Sequence, residues 1–301
     1  MTLAETKPAR RLASASSQEI GIALLLILPS LFGFLVFFAV PAVRGLFISF
    51  TDWDLLTPPK SVGLANYAAL FSDPDFWNAL KVTVLYVLWN IPIQTVLALL
   101  VAVVMNAASR SNLLRAVFLL PWLMPNVVVA LLWMWLLDPS LGIINETIRH
   151  LGGRMVPFLS STGLALPSVA GINIWRYLGY TSLLIFAGLQ TIPRDINEAA
   201  LIDGSSAPQT FFRITLPLLR PVLAFVLVTS IIGSFQIFDT VAVTTNGGPV
   251  NATKVFNFMI YQQAFQRFRM GYSTSVSMVL FLLLVGVGIL QMRLLRAREA
   301  D

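Results

Sequence analysis

The chain has 301 residues, of which 57% are hydrophobic, with only 20 Lys and Arg against 14 Asp and Glu and a formal net charge of +6. A charged share of 11%, against roughly a quarter in soluble domains, excludes a soluble enzyme, a disordered chain and a nucleic-acid binder, and assigns the basic excess to loops beside lipid. The chain has no Cys and a single His, His150, so a disulfide framework, a thiolate metal site and a multi-His cluster are excluded within it, and metal or Ser-His-Asp chemistry is not expected.

A spanning helix needs about 20 mostly apolar residues. Five intervals free of Lys, Arg, Asp and Glu meet that need: Ile20 to Val43, Val82 to Ser109, Ala116 to Leu137, Pro221 to Phe238 and Met270 to Met292. A sixth, Leu166 to Ile192, is interrupted once, by Arg176. Lipid-facing backbone must hydrogen-bond within its own segment, so the expectation is an all-α polytopic protein with six transmembrane helices. The first interval is longer than a signal-peptide core and lacks a small-residue cleavage pattern after it, which predicts a retained span. The expected organisation is a tail over residues 1–19, a membrane domain over 20–295 and a closing tail over 296–301.

With the N-terminus inside, the inner segments hold eleven Lys and Arg and the longer outer loops hold eight, led by Lys7, Arg10 and Arg11 at one end and Arg293, Arg296 and Arg298 at the other. That bias places both termini in the cytoplasm. Pro58-Pro59, Asp73-Pro74, Asp138-Pro139, Gly152-Gly153 and Gly247-Gly248-Pro249 punctuate the outer loops as turns.

Between spans four and five, residues 193–217 carry the most informative pattern. Asp195 followed by Glu198 reads as a capping box, Ile196, Ala199, Ala200, Leu201 and Ile202 as the apolar part of a short helix, and Gly204 as its stop. Ser206 with Gln209, and Pro208 in the first turn, opens a second helix that runs to Pro217 and into span five. Two short helices meeting at Gly204 make a knob whose small Ala faces allow close approach by a partner, and a helix in a cleft transmits a rigid-body push.

The run Glu198-Ala199-Ala200, Asp203-Gly204, Ile214, Leu216-Pro217 closely resembles the EAA loop of permease subunits of binding-protein-dependent ABC importers. Gly63-Leu64-x-Asn66-Tyr67, Asp73-Pro74-x-Phe76-Trp77, Thr83, Leu120-Pro121 with Pro125, Asn246-Gly247-Gly248-Pro249, and Tyr261, Ala264-Phe265 and Gly271-Tyr272 resemble the carbohydrate branch, the maltose-type and glycerol-3-phosphate-type permeases. Ser205 stands where that family usually has Ala. The resemblance implies the ABC importer type I permease fold, a bacterial inner-membrane location, and a coupling helix whose residues Asp195, Glu198, Ala199, Ala200, Asp203, Gly204, Ile214, Leu216 and Pro217 engage a dimer of ATPase subunits. It also implies a second permease subunit, an extracytoplasmic solute-binding protein facing Asn246, Gly247, Gly248 and Pro249, and a carbohydrate substrate. The chain lacks the phosphate-cradling G-x-x-x-x-G-K-[ST] loop, so it is expected to hold no cofactor of its own, with ATP and Mg in the partner ATPases.

Polar side chains in hydrocarbon are costly, and the spans contain Asn90, Gln94, Asn126, Asn173, Arg176, Gln190, Ser230, Ser234, Gln236 and Asp239. Taken singly, each is as well explained by a bond to a neighbouring helix. Span four concentrates Asn173, Trp175, Arg176, Tyr177 and Tyr180 within two turns, a mixture suited to sugar hydroxyls and sugar C–H faces. The resemblance implies a substrate path along Trp122, Asn126, Asn173, Trp175, Arg176, Tyr177, Tyr180, Ser230 and Ser234, with Gly233 and Ile237 departing from the maltose-type pattern. Arg176 has two readings: a contact for an anionic sugar derivative, or a structural group paired with Asp239 or reaching the outer face. Trp53, Trp77 and the stretch Lys254 to Arg269 are expected outside, with the two Trp also consistent with an interfacial belt. A channel or an intramembrane enzyme is the alternative class, and it would need a pore ring or a convergent acid–base site.

Overall fold

A computed structural model describes residues 17–108 and 112–297. The opening tail up to residue 16, Arg110 and Arg298 lie outside the described residues, so the tail and part of the charge asymmetry have no structural counterpart here. The chain divides after Phe47 into two compact units.

The first unit is helical. Helix α1 (Ser17–Phe34) passes through a π-turn (Leu35–Ala39) into α2 (Val40–Ile48), and Leu24–Ile48 is long and apolar enough to cross a membrane. The π-turn lies just before Pro41, whose ring would collide with the carbonyl four residues back in a regular helix; the wider turn relieves that collision.

The second unit begins with a small cap. Strands β1 (Thr51–Asp52) and β2 (Lys60–Ser61) pair antiparallel, and α3 (Ala65–Phe71) follows. Asn66 Nδ2 donates to the carbonyls of both Ser49 and Thr51 at 2.9 Å, and Tyr67 Oη pairs with Ser49 Oγ at 2.7 Å. The Gly63-Leu64-x-Asn66-Tyr67 motif therefore builds the cap. Helix α4 (Pro74–Ala108) starts eight residues before the expected span, because Pro74 opens it, Asp75 lies in its first turn and exposed Lys81 is accommodated on the surface.

The third span is two helices. Helices α5 (Asn112–Leu123) and α6 (Asn126–Leu136) meet at 93° around Met124-Pro125, since Pro125 cannot donate its backbone nitrogen and restricts the residue before it. After α7 (Ile143–His150) comes α8 (Ala165–Gln190), buried along most of its length. Its composition is less apolar than that of the other spans, and it is long enough to cross. It tolerates polar residues because α4, α5, α12 and α13, rather than lipid, surround it. Gly179 makes this approach possible: a Cβ there would run into the Phe118 carbonyl of α5.

Helix α9 (Arg194–Ile202) follows, then α10 (Ala207–Thr210), a π-turn (Phe211–Thr215) ahead of Pro217, α11 (Leu216–Leu218) and α12 (Arg220–Phe235). The fifth span breaks at Gln236–Phe238 and resumes as α13 (Asp239–Thr244). Helix α14 (Phe256–Tyr261) and a π-turn (Gln262–Gln266) lead to α15 (Met270–Ala297). Four apolar helices, the bent pair α5–α6 and the sheltered α8 account for the six expected spans.

The outer stretch expected to face outward from Lys254 is instead core at its start. Lys254 is 2% exposed, and Phe256, Phe258 and Met259 pack against α4 and α15. Lys254 Nζ donates to Asp75 Oδ2 at 2.8 Å, Thr83 Oγ1 accepts from the Phe256 N–H at 3.0 Å, and Tyr272 Oη donates to Asp73 Oδ2 at 2.6 Å. These bonds tie the loop after α13, the start of α14 and the start of α15 to the start of α4. Replacing Asp75 with Ala strands a buried ammonium and is expected to lower stability by about 3 kcal/mol. The joint change of Asp75→Asn with Lys254→Met should cost less, read as the thermal unfolding midpoint of the detergent-solubilised assembly.

Candidate functional site

Helical spacing places the polar groups on shared faces. Tyr86, Asn90 and Gln94 recur every four residues on α4, and Asn173, Tyr177, Tyr180, Thr181 and Leu184 lie along one side of α8. Thr229, Ser230, Gly233 and Ser234 do the same on α12. Together with Trp122, Asn126, the break at Gln236–Phe238 and the first two residues of α13, Asp239 and Thr240, they enclose a cavity of about 400 Å³.

The wall is a hydrogen-bonded lattice. Asn90 Nδ2 donates to Ser234 Oγ at 2.9 Å, and Gln94 Nε2 donates to Thr181 Oγ1 at 2.9 Å, joining α4 to α12 and to α8. Asn173 and Thr240 bond each other across α8 and α13 at 3.2 Å. Such interhelical bonds hold spans together where lipid offers no apolar driving force, at about 0.6–2 kcal/mol each. Trp122 stacks on Tyr180 with ring centroids 4.7 Å apart, forming an aromatic flank. Among the described residues no group of three or more His, Asp or Glu is placed to hold a metal.

Seven of the nine residues expected on the path line this cavity: Trp122, Asn126, Asn173, Tyr177, Tyr180, Ser230 and Ser234. Trp175 does not. Two residues from Asn173 and from Tyr177, it points to the opposite side of α8 and packs edge-on against Trp133 at 5.5 Å. Arg176 is also outside the lining, and the expected pair with Asp239 does not form. Its Nη2 donates to the carbonyls of Trp122 at 3.2 Å and Met124 at 3.0 Å, and its guanidinium lies 4.7 Å from the centre of the Tyr177 ring. The break at Pro125 frees carbonyls at the end of α5, and Arg176 satisfies two of them from behind the cavity wall. Asp239 Oδ2 instead accepts from Asn126 Nδ2 at 2.7 Å.

The knob between α8 and α12 forms with one change of detail. Pro193, not Asp195, occupies the position before α9, so the expected capping box is absent and exposed Asp195 acts from the first turn on the helix dipole. Gly204 ends the helix at φ +75, with the Ser205 N–H bonded to the Ala200 carbonyl at 2.9 Å and the Gly204 N–H to Leu201 at 3.1 Å. The Ser206 N–H donates to Gln209 Oε1 at 2.9 Å, completing the second capping box. Glu198, Ala199 and Asp203 are exposed, as are Leu201 at 68% and Ile202 at 86%, whereas Ala200 is buried; Ile214, Leu216 and Pro217 are half-buried. The apolar surface on offer is therefore more aliphatic than an alanine face.

On the other side, Asn246 is exposed, Gly247 is buried against Phe258, and Gly248 and Pro249 border a second cavity of about 420 Å³ with Asp138, Ser160 and Thr245. Asp138 Oδ1 accepts from the N–H groups of Ser140 and Leu141 at 2.8 Å, which holds its carboxyl below the usual carboxylate range.

Residues 94–298 match the family described as "Binding-protein-dependent transport system inner membrane component". The chain belongs to this family. It is 33% identical over 287 residues to the trehalose/maltose transport system permease protein MalF of Thermococcus litoralis, covering 94% of this chain and 96% of that one. It is 32% identical over 272 residues to the sn-glycerol-3-phosphate transport system permease protein UgpA of Yersinia pestis, covering 89% and 92%. A chain in the crystal structure of a bacterial ABC transporter involved in the import of the acidic polysaccharide alginate superposes with a TM-score of 0.82 at 23% identity, covering 93% of this chain and 96% of that one. That likeness gives this permease the ABC importer fold.

Sequence reasoning left Tyr86, Thr181, Thr229 and Thr240 of this permease unassigned, treated Asn90, Gln94 and Gln236 as ordinary interhelical groups, and gave Asp239 only as a candidate partner of Arg176. The four-residue period of Tyr86, Asn90 and Gln94 was the available signal. Arg176→Met leaves the Trp122 and Met124 carbonyls without their donor and is expected to cost about 2–4 kcal/mol, with Arg176→Lys recovering part. Thermal unfolding of the solubilised protein, with amide exchange across residues 120–128, measures both effects.

Proposed function

We propose that this permease, with a second permease subunit, forms the path of an importer that carries a carbohydrate across the bacterial cytoplasmic membrane. The substrate arrives from an extracytoplasmic binding protein over the loop Asn246 to Pro249. A dimer of separate ATPase subunits, which bind ATP and Mg, seats the α9 knob in a cleft. Both termini lie in the cytoplasm, and residues 20–295 act as the membrane domain. The observation that carries this reading is the geometry linking knob and cavity: α8 runs from the cavity wall to α9, and α10 runs through α11 and α12 back to the same wall.

A carbohydrate suits that wall because Tyr and Trp faces pack on C–H surfaces while amides and hydroxyls bond the sugar's oxygens. The named relatives carry trehalose or maltose and glycerol-3-phosphate, both polyhydroxylated, which supports the class without choosing a charge. ATP-driven closure below would push the knob as a rigid body, and α8 and α12 would carry the motion to the cavity, so that both sites bias one two-state element. Gly204 is central to this because its positive φ sets the angle between the two short helices.

The test is ATPase stimulation. The assembled permeases and ATPases should hydrolyse ATP faster when the binding protein is loaded with a sugar, and Gly204→Trp should abolish both ATPase association and stimulation while the chain still inserts. Normal association of the Gly204→Trp chain with the ATPase would overturn the coupling role.

A further inference from the structure

The charge of the cavity decides what it admits. Asp239 contributes the only formally charged side chain in its lining; the other residues are amides, hydroxyls, phenols, an indole and apolar groups. Arg176, the cation in the middle of α8, is turned to the carbonyls of Trp122 and Met124 behind the wall. A carboxylate has about four acceptor positions, and Asp239 is seen to use one, on Asn126 Nδ2 at 2.7 Å. No Lys, Arg or His pairs with Asp239 among the described residues. Asn90, 3% exposed, adds a second free acceptor: its Nδ2 is committed to Ser234 and Gln94, while its buried Oδ1 has no partner.

These two acceptors sit on opposite elements of one enclosure, α4 and the start of α13: the buried Asn90 Oδ1 has no donor, and the half-buried Asp239 carboxylate has one, Asn126, with acceptor positions to spare. Asn126 holds Asp239 in place from the first residue of α6, so the two broken spans meet at this carboxylate. Discontinuous helices at such a junction are where membrane transporters place polar ligands.

We propose that Asp239 is a substrate-binding residue, with Asn90 as a second acceptor, and that this cavity selects neutral or amino carbohydrates and excludes sugar acids and sugar phosphates. The inference rests on the carbohydrate reading above and narrows it. Hydroxyls and an ammonium group donate to the carboxylate through charge-assisted bonds, whereas an anionic group meets the like charge of Asp239 in a lining that holds no cation.

The solubilised complex of permeases and ATPases, without binding protein, reports the selectivity of the membrane site alone. Equilibrium dialysis would compare glucose, glucosamine and glucuronate, each also as its β-1,4-linked disaccharide. The expected result is binding of the neutral or amino members and no binding of the acids. Asp239→Asn, which keeps shape and an acceptor for Asn126, should weaken the neutral sugar on the order of tenfold or more and the amino sugar further, while admitting the acid. That change in rank order is one that a purely structural role would not produce. Preferential binding of the acids by the unaltered complex, or an unchanged rank order in Asp239→Asn, would overturn the inference and leave the carbohydrate reading standing. Binding of none of the six would overturn the carbohydrate reading itself.

Discussion

Inside a bilayer there is no water to satisfy a free carbonyl, so every interruption of a helix has to be answered by a side chain or by protein packing. This chain has two interruptions beside its cavity, one at Pro125 and one at Gln236–Phe238. Arg176 answers the first by donating to Trp122 and Met124. The Asn126–Asp239 bond joins the two restarted helices. The cavity exists because the spans break there, and the breaks persist because α8 supplies a guanidinium and a polar face beside them.

Helix α8 therefore has two duties that conflict in composition. To stand against lipid it would have to be apolar; to line a polar cavity and brace a broken neighbour it needs Asn173, Arg176 and Thr181. Burial by α4, α5, α12 and α13 resolves the conflict, and Gly179 and Gly188 allow α5 and α12 to come close. Its inner end is tied to α4 by Gln190 Nε2 donating to Asn106 Oδ1 at 2.6 Å. Under the proposed coupling, movement at α9 would reach the cavity through this braced helix rather than through a flexible loop.

The segments most legible in the sequence were those governed by local rules. Five charge-free intervals predicted spans, Gly204 predicted a helix stop, and Ser206 with Gln209 predicted a helix start, because hydropathy and backbone conformation act within a few residues. Asp195 as a cap failed on local competition: Pro193 stands just ahead and leaves Asp195 inside the first turn. Trp175 failed on helical phase, since clustering in sequence does not place neighbours on one face. Tyr86 went unassigned because its four-residue period with Asn90 and Gln94 marks a shared face of α4 and not what lies opposite that face.

By itself the sequence determined that this is a multi-span membrane protein with a capped helical knob between spans four and five and mid-span polar groups, and its motifs specified the family. Those properties depend on composition, period and short-range chemistry. The tertiary structure decided where the charges go: Arg176 to the backbone of a broken helix, Asp239 to the cavity, and Lys254 into the outer core beside Asp75. The physical reason is that a charge in a low-dielectric setting is defined by the groups that meet it, and here those groups come from 54, 113 and 179 residues away along the chain.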